Sequence, residues 1–309
     1  MNPSSSLAAF RFGCGLPHAD GAPLTVEAML SALTAPDEMA ARFPIVGFDW
    51  FHERTAEIAL NKKAADTDPA LKARLDEVEK EIDRAGLRAL RATLARAIDA
   101  PDAFRERLVA FWADHFTVSA NGMAQALGPY TLVEDAIRPH IAGRFGDMLS
   151  AVTHHPAMLI YLNQTRSVGP GSRQGLRAGG GLNENLAREL LELHTMGVGA
   201  AYSQTDVRQL AELLTGLTYD PRRGARFNAR MAEPGAEEVL GKTYDGEGEA
   251  PIRAFLADLA QHPDTARHVS AKLAVHFIAD TPDPGLVEAM AGVWQETGGD
   301  LAAVYGVLL

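Results

Sequence analysis

The stretch PALKARLDEVEKEIDRAGLRALRATLARAIDA, residues 69–100, decides the fold class. Its apolar positions Leu71, Leu75, Val78 and Ile82 step by four, three and four, and Leu87, Leu90, Leu94 and Ile98 continue a similar stripe after a shift near Gly86. Steps of three and four belong to a helix with one apolar face. The segment therefore reads as one long or broken amphipathic helix, or as the arm of a helical hairpin. Its charges pair at i,i+4 on a solvated face and carry no catalytic weight.

Outward from this segment the same period fills most of the chain. Thr25 is placed to cap VEAMLSAL, and Pro101 suits the first helical position of PDAFRERLVAFWADHF. Pro139 and Pro156 mark kinks or helix starts. Ser203 and Asp206 have capping-box spacing, and Asp300 caps a last helix. Between residues 221 and 249 the helical period disappears, and RFNARM and EEVLGKTY, flanking AEPGA, are expected to pair as a short hairpin. The expected fold is mainly α: a multi-helical single domain over residues 1–309, with one long amphipathic helix or helical hairpin and a small β hairpin. Residues 163–182, with six glycines and three arginines, form the expected flexible loop. The chain stops inside an uncapped apolar helix, which suggests truncation at the C-terminus.

Bulk composition bounds the function. The 309 residues are 47% hydrophobic and 22% charged, enough apolar material for a sizeable core. With 29 basic and 40 acidic residues the net charge is −11, which argues against nucleic acid as a main partner. The single cysteine, Cys14, excludes an internal disulfide and reads as a buried thiol. No apolar run reaches membrane-span length, and no secretory leader is visible. The expected compartment is the cytoplasm, or the exterior if a leader has been removed.

The chemistry concentrates in GGGLNENLARELLELHTMGVG, residues 179–199. With Asn183 as helix cap and about 100° of rotation per residue, Leu186, Leu190 and Leu193 share one side and His194 falls among them. Asn185, Arg188, Glu189 and Glu192 fall on the opposite arc. That arc is either a solvated face or the wall of a cleft, with Glu189 or Glu192 as general base and Arg188 as anion clamp. His194 is either a core histidine bonded to a carbonyl or a base or ligand. Arg166, Arg173 and Arg177 precede the helix, where free amides and the helix dipole attract anions, so a small anionic ligand is one reading of the loop and a plain surface loop the other. His115, His155, His194 and Glu189 make a composite site only if the fold brings them together. No zinc signature, nucleophile elbow or phosphate loop is present, and the sequence names no cofactor.

The run LNENLARELLELHTMGVGAAYSQTDVRQLAELLTG resembles the hallmark of a bacterial family known as domain of unknown function 1800. The matching positions are Asn183, Glu184, Asn185, Ala187, Arg188, Glu189, Glu192, His194, Thr195, Gly197, Tyr202, Gln204 and Asp206. RFGCG, FWADHF, HPAMLIYLNQ, VLGKTY and HPDTARHVSAKLAVHFIAD also match, so the resemblance covers essentially the whole chain. It implies a mainly helical fold, no established activity, frequent export and a sulfatase-like protein encoded alongside. Ala113 and Asp114 stand where many members resemble Trp-His-Asn-His-Phe, and Ala232 and Glu233 where many resemble His-Asp-x-Gly. Two histidines that a metal site could use are thus absent. Two functions are compatible with these residues: a non-catalytic binding or accessory partner of the co-encoded protein, with residues 69–100 as interaction arm, or a hydrolase for a polar or anionic substrate. The hydrolase would use Glu189, Glu192, His194 and His115 for catalysis and Asn183, Asn185, Arg188 and Arg177 for binding.

Overall fold

A computed structural model describes residues 3–15, 25–101, 103–119 and 127–309. The architecture is mainly α. Helices α1 (Pro3–Phe12), α2 (Val26–Thr34) and α3 (Glu38–Arg42) lead into the hairpin of α4 (Phe48–Ala65) and α5 (Pro69–Asp99). Then come α6 (Phe104–His115), α7 (Gly128–Leu132), α8 (Phe145–His154), α9 (Pro156–Tyr161), α10 (Gly175–Ala178), α11 (Asn185–Glu189) and α12 (Gln204–Leu213). Helices α13 (Ala250–Ala260), α14 (Pro263–Phe277), α15 (Pro284–Thr297) and α16 (Leu301–Leu308) close the chain.

Local chemistry sets many of these boundaries. Thr25 and Asp300 accept backbone amides at their helix starts, Ser203 and Asp206 form a reciprocal capping box, and the His155 ring accepts the Ala157 amide. Asp68 accepts two amides at the start of α5, which runs unbroken past Gly86 and packs along α4. The helix after Pro101 begins only at Phe104, with Ala103 in the cap position, so the expected proline start is corrected by three residues.

The irregular region holds two hairpins rather than one. Strand β1 (Leu217–Asp220) pairs antiparallel with β2 (Gly224–Phe227), and β3 (Glu237–Val239) pairs with β4 (Lys242–Tyr244). The partner of β2 is thus the LTYD segment, which lies before the region expected to form the hairpin, and not EEVLGKTY. EEVLGKTY is itself strand, turn and strand. Leu240 and Gly241 have φ of 53° and 71°, the two left-handed residues that a tight turn of this hand requires.

The main core gathers Phe104, Trp112, Phe116, Phe145, Trp294 and Tyr305, all fully buried. Trp112 Nε1 donates to the Tyr305 hydroxyl at 2.7 Å, and Trp294 Nε1 to the Ala260 carbonyl at 3.0 Å, so the indole donors of this core are satisfied. A second cluster of Phe48, Phe51, Val78, Ile82, Ala85, Ala89 and Tyr219 seats the α4–α5 hairpin. The two halves of the α5 stripe separate here. Leu75, Val78 and Ile82 are buried, whereas Leu87, Leu90, Leu94 and Ile98 are 50%, 44%, 55% and 61% exposed.

Candidate functional site

The polar motif is built around a helix that widens partway. Asn183 is not the cap: its Oδ1 accepts the Asn185 amide at 2.8 Å in a tight side-chain turn, and α11 starts at Asn185. The Asn183 amide donates to Ser167 Oγ, and its Nδ2 to the carbonyls of Leu162 and Asn163. This residue stitches the glycine-rich loop to the helix. After Glu189 the bonding changes to a π turn over Leu190–His194. The extra residue in the turn rotates the downstream side chains, so Leu193 is 45% exposed instead of sharing the buried side with Leu186 and Leu190.

The solvent-side arc is a network of internal pairs. Arg188 donates to Glu192 Oε1 at 3.0 Å, to Glu184 Oε2 at 3.3 Å and to Gln204 Oε1 at 3.0 Å. Gln204 Nε2 closes the ring onto Glu184, and Glu192 also bonds the Tyr202 hydroxyl. Glu189 stands beside this network, half-buried and without a hydrogen bond among the described residues. Burial and then the Glu192 charge push its carboxyl above the usual range. Asn185 is exposed.

His194 faces the other way, into the core, where His115 meets it. His115 Nε2 lies 3.1 Å from the His194 carbonyl oxygen, and the two ring centres are 6.2 Å apart. The Nδ1 atoms of both rings are buried without a hydrogen-bond partner. Burial, then the Lys272 charge, pushes His194 down to about 3; burial, Lys272 and His194 together lower His115. Lys272 is itself lowered by burial and lies on α14 one turn from His268, which bonds the Leu193 carbonyl. The sequence pattern gives Lys272 and His268 no role, although HVSAKLAVH places His268, Lys272 and His276 on one helical face at steps of four. His155 does not join them. It packs against Phe48 and lies 3.4 Å from Asp135, so the composite site reduces to the His115–His194 pair.

The loop before the helix holds an anion of its own. The Gly171 amide donates to Glu233 at 2.8 and 3.0 Å, the Glu233 amide donates to Thr215 Oγ1, and the Gly169 amide donates to the Met231 carbonyl. Gln164, Ser167 and Ser172 of the same loop are buried. Arg166, Arg173 and Arg177 are exposed, and their side chains form no hydrogen bond or ion pair among the described residues.

A family model matches the chain over residues 11–309, essentially its whole length. The chain belongs to the DUF1800 family. The description of that family is a protein of unknown function. No curated protein matches the chain, and no solved structure does. Among the described residues of this DUF1800 protein, no three His, Cys, Asp or Glu side chains are grouped to hold a metal ion, and no helix is long and apolar enough to cross a membrane.

Proposed function

We propose that this DUF1800 protein is a binding or accessory subunit that docks a protein partner on the C-terminal half of α5. The supporting observation is the exposed row Leu87, Leu90, Leu94 and Ile98, which covers about 80° of the helix circumference. Arg91 and Arg88 border that row on one side only, and Arg84 on the same side is paired with Glu77 at 2.8 Å. Contiguous apolar rows rimmed by charge are how helices recognise one another. The partner is therefore an amphipathic helix with an acidic edge, and the sulfatase-like protein implied by the family resemblance is the first to test. Co-purification and calorimetry with that protein should give a complex weakened at least tenfold by Leu90→Asp or Leu94→Asp and by Arg88→Glu. Binding indifferent to all three overturns the proposal.

A second reading, a hydrolase for a polar or anionic substrate, is favoured by the raised, unbonded carboxyl of Glu189. Glu189 or Glu192 is the base in that reading. Asn183, Asn185, Arg188 and Arg177 bind the substrate, an anionic group sits near the loop arginines, and His194 and His115 support the site from the core. Hydrolysis of a sulfate, phosphate or carboxylic ester that Glu189→Gln abolishes without loss of fold would establish it. Turnover unchanged in that variant would remove it.

A further inference from the structure

A cavity of about 570 Å³ opens between α4, the N-terminal half of α5, α9 and the β1–β2 turn, and none of the motif-helix residues lines it. Its walls are Phe51, Ile58, Ile82 and Ile160. The β1–β2 turn is pinned across one end by Arg222, which donates to the Ala59 carbonyl at 3.2 Å. The volume falls in the range of small-molecule sites, which join apolar walls to a few placed polar groups.

The polar groups here are nearly all acceptors. The Tyr219 hydroxyl lies 3.1 Å from His52 Nδ1 and 3.3 Å from Thr55 Oγ1. Thr55 directs its own proton to the carbonyls of Phe51 and His52. The single proton of Tyr219 is thus drawn toward α4, and its oxygen keeps a lone pair for the cavity. At the rim stand Glu79 and Asp83, one turn apart on α5, against the single cation Lys62. None of these three forms an ion pair among the described residues. The charged lining residues therefore sum to a net negative charge.

We infer that this cavity is a binding site for a small organic cation, an ammonium group carried on an aliphatic or aromatic body. The body fills the space between Phe51, Ile58, Ile82 and Ile160, and the ammonium donates to Tyr219 and the Glu79–Asp83 pair. The size of the site suits a ligand of about ten to twenty heavy atoms or fewer.

The test is calorimetric titration of the full chain with phenethylamine and hexylamine, each against its carboxylate counterpart, 3-phenylpropionate and hexanoate. The amines should saturate one site at least tenfold more tightly than the carboxylates. The double substitution Glu79→Gln, Asp83→Asn should bring the two classes to parity, and Tyr219→Phe, which preserves packing, should weaken the amines severalfold. Ala59→Trp should fill the cavity and abolish binding of both. Carboxylates binding as well as amines, amine binding that survives the double substitution, or no saturable binding of any probe at millimolar concentration would each overturn the inference.

Discussion

Nε2 of His115 and the carbonyl oxygen of His194 lie 3.1 Å apart, tying α6 to the π turn in the middle of the core. Both rings are held neutral, by burial first and by Lys272 second. In the unfolded chain a histidine protonates near pH 6.5. Below that value the unfolded state takes up protons that the native state refuses, so stability falls with pH down to the lowered folded values. Each of the two histidines should cost about 1 kcal/mol between pH 6.5 and 5.5. Urea unfolding at the two pH values measures this, and His194→Gln should flatten the profile. A native protein equally stable at both values would contradict the assignment of neutral rings.

Arg138 is buried between two acids. It bonds both oxygens of Asp37 at 2.6 and 3.0 Å and both oxygens of Glu106. Arg138→Ala would strand Glu106 in the interior and should cost about 3–5 kcal/mol. The double variant Arg138→Met, Glu106→Leu should cost less than that single change, because no charge is left unpaired at Glu106. Burial by itself would raise the Asp37 carboxyl, but the Arg138 hydrogen bond and the Ala40 amide outweigh it and hold it below the ordinary range. The contribution of Asp37 is therefore fully present above about pH 3.9 and is lost as pH falls through its lowered value. Denaturant midpoints of the parent and the two variants decide the matter.

The glycine-rich loop tolerates side chains unevenly. A Cβ at Gly169 would lie 2.7 Å from the Glu233 amide nitrogen and 2.8 Å from its Cα, so backbone must move. Gly169→Ala should destabilise by about 1–3 kcal/mol. Gly181 has nothing within 4 Å of that position, and Gly181→Ala should stay within about 0.5 kcal/mol. Thermal melts of the two variants compare them directly; equal melting temperatures would refute the tight seating of Glu233.

Along α5 the same residue type should weigh very differently by position. Ile82, 2% exposed, anchors the hairpin and should lose about 2–5 kcal/mol on change to Ala. Leu90, 44% exposed, should lose no more than about 0.5 kcal/mol in the isolated protein. A large cost at Leu90 in chemical denaturation would mean that the exposed row is covered within the chain.

The parts of this fold legible in the sequence are those set by neighbours in the chain. Thr25, Ser203 with Asp206, His155 and Asp300 cap their helices through amides two or three residues away, and the α5 period needs only its own residues. Sequence and structure part where a local pattern admits two backbones. Asn183 can bond the amide two residues on in a turn as readily as cap a helix, and it does the former. The π turn is invisible to a 3.6-residue wheel, which puts Leu193 on the wrong side. LTYD comes after α12 and Gly216, whose φ of 97° breaks the helix and lets a strand begin. Within the candidate site, Glu184, Arg188 and Glu192 pair at helical spacing and are readable. The meeting of His115 with His194, 79 positions apart, and the proximity of Lys272 depend on how α6, the π turn and α14 pack, which no local signal encodes.

Glu233 gives the loop over residues 163–182 a tethered rival for any incoming anion. A carboxylate held on the same chain competes at an effective concentration of roughly millimolar or above, so a free anion reaches the Gly171 amide only by exchange. Occupancy of that amide is then a contest between a resident and a visitor. A substitution that deletes the carboxylate would turn a self-sealed loop into a vacant receptor without altering a single arginine around it.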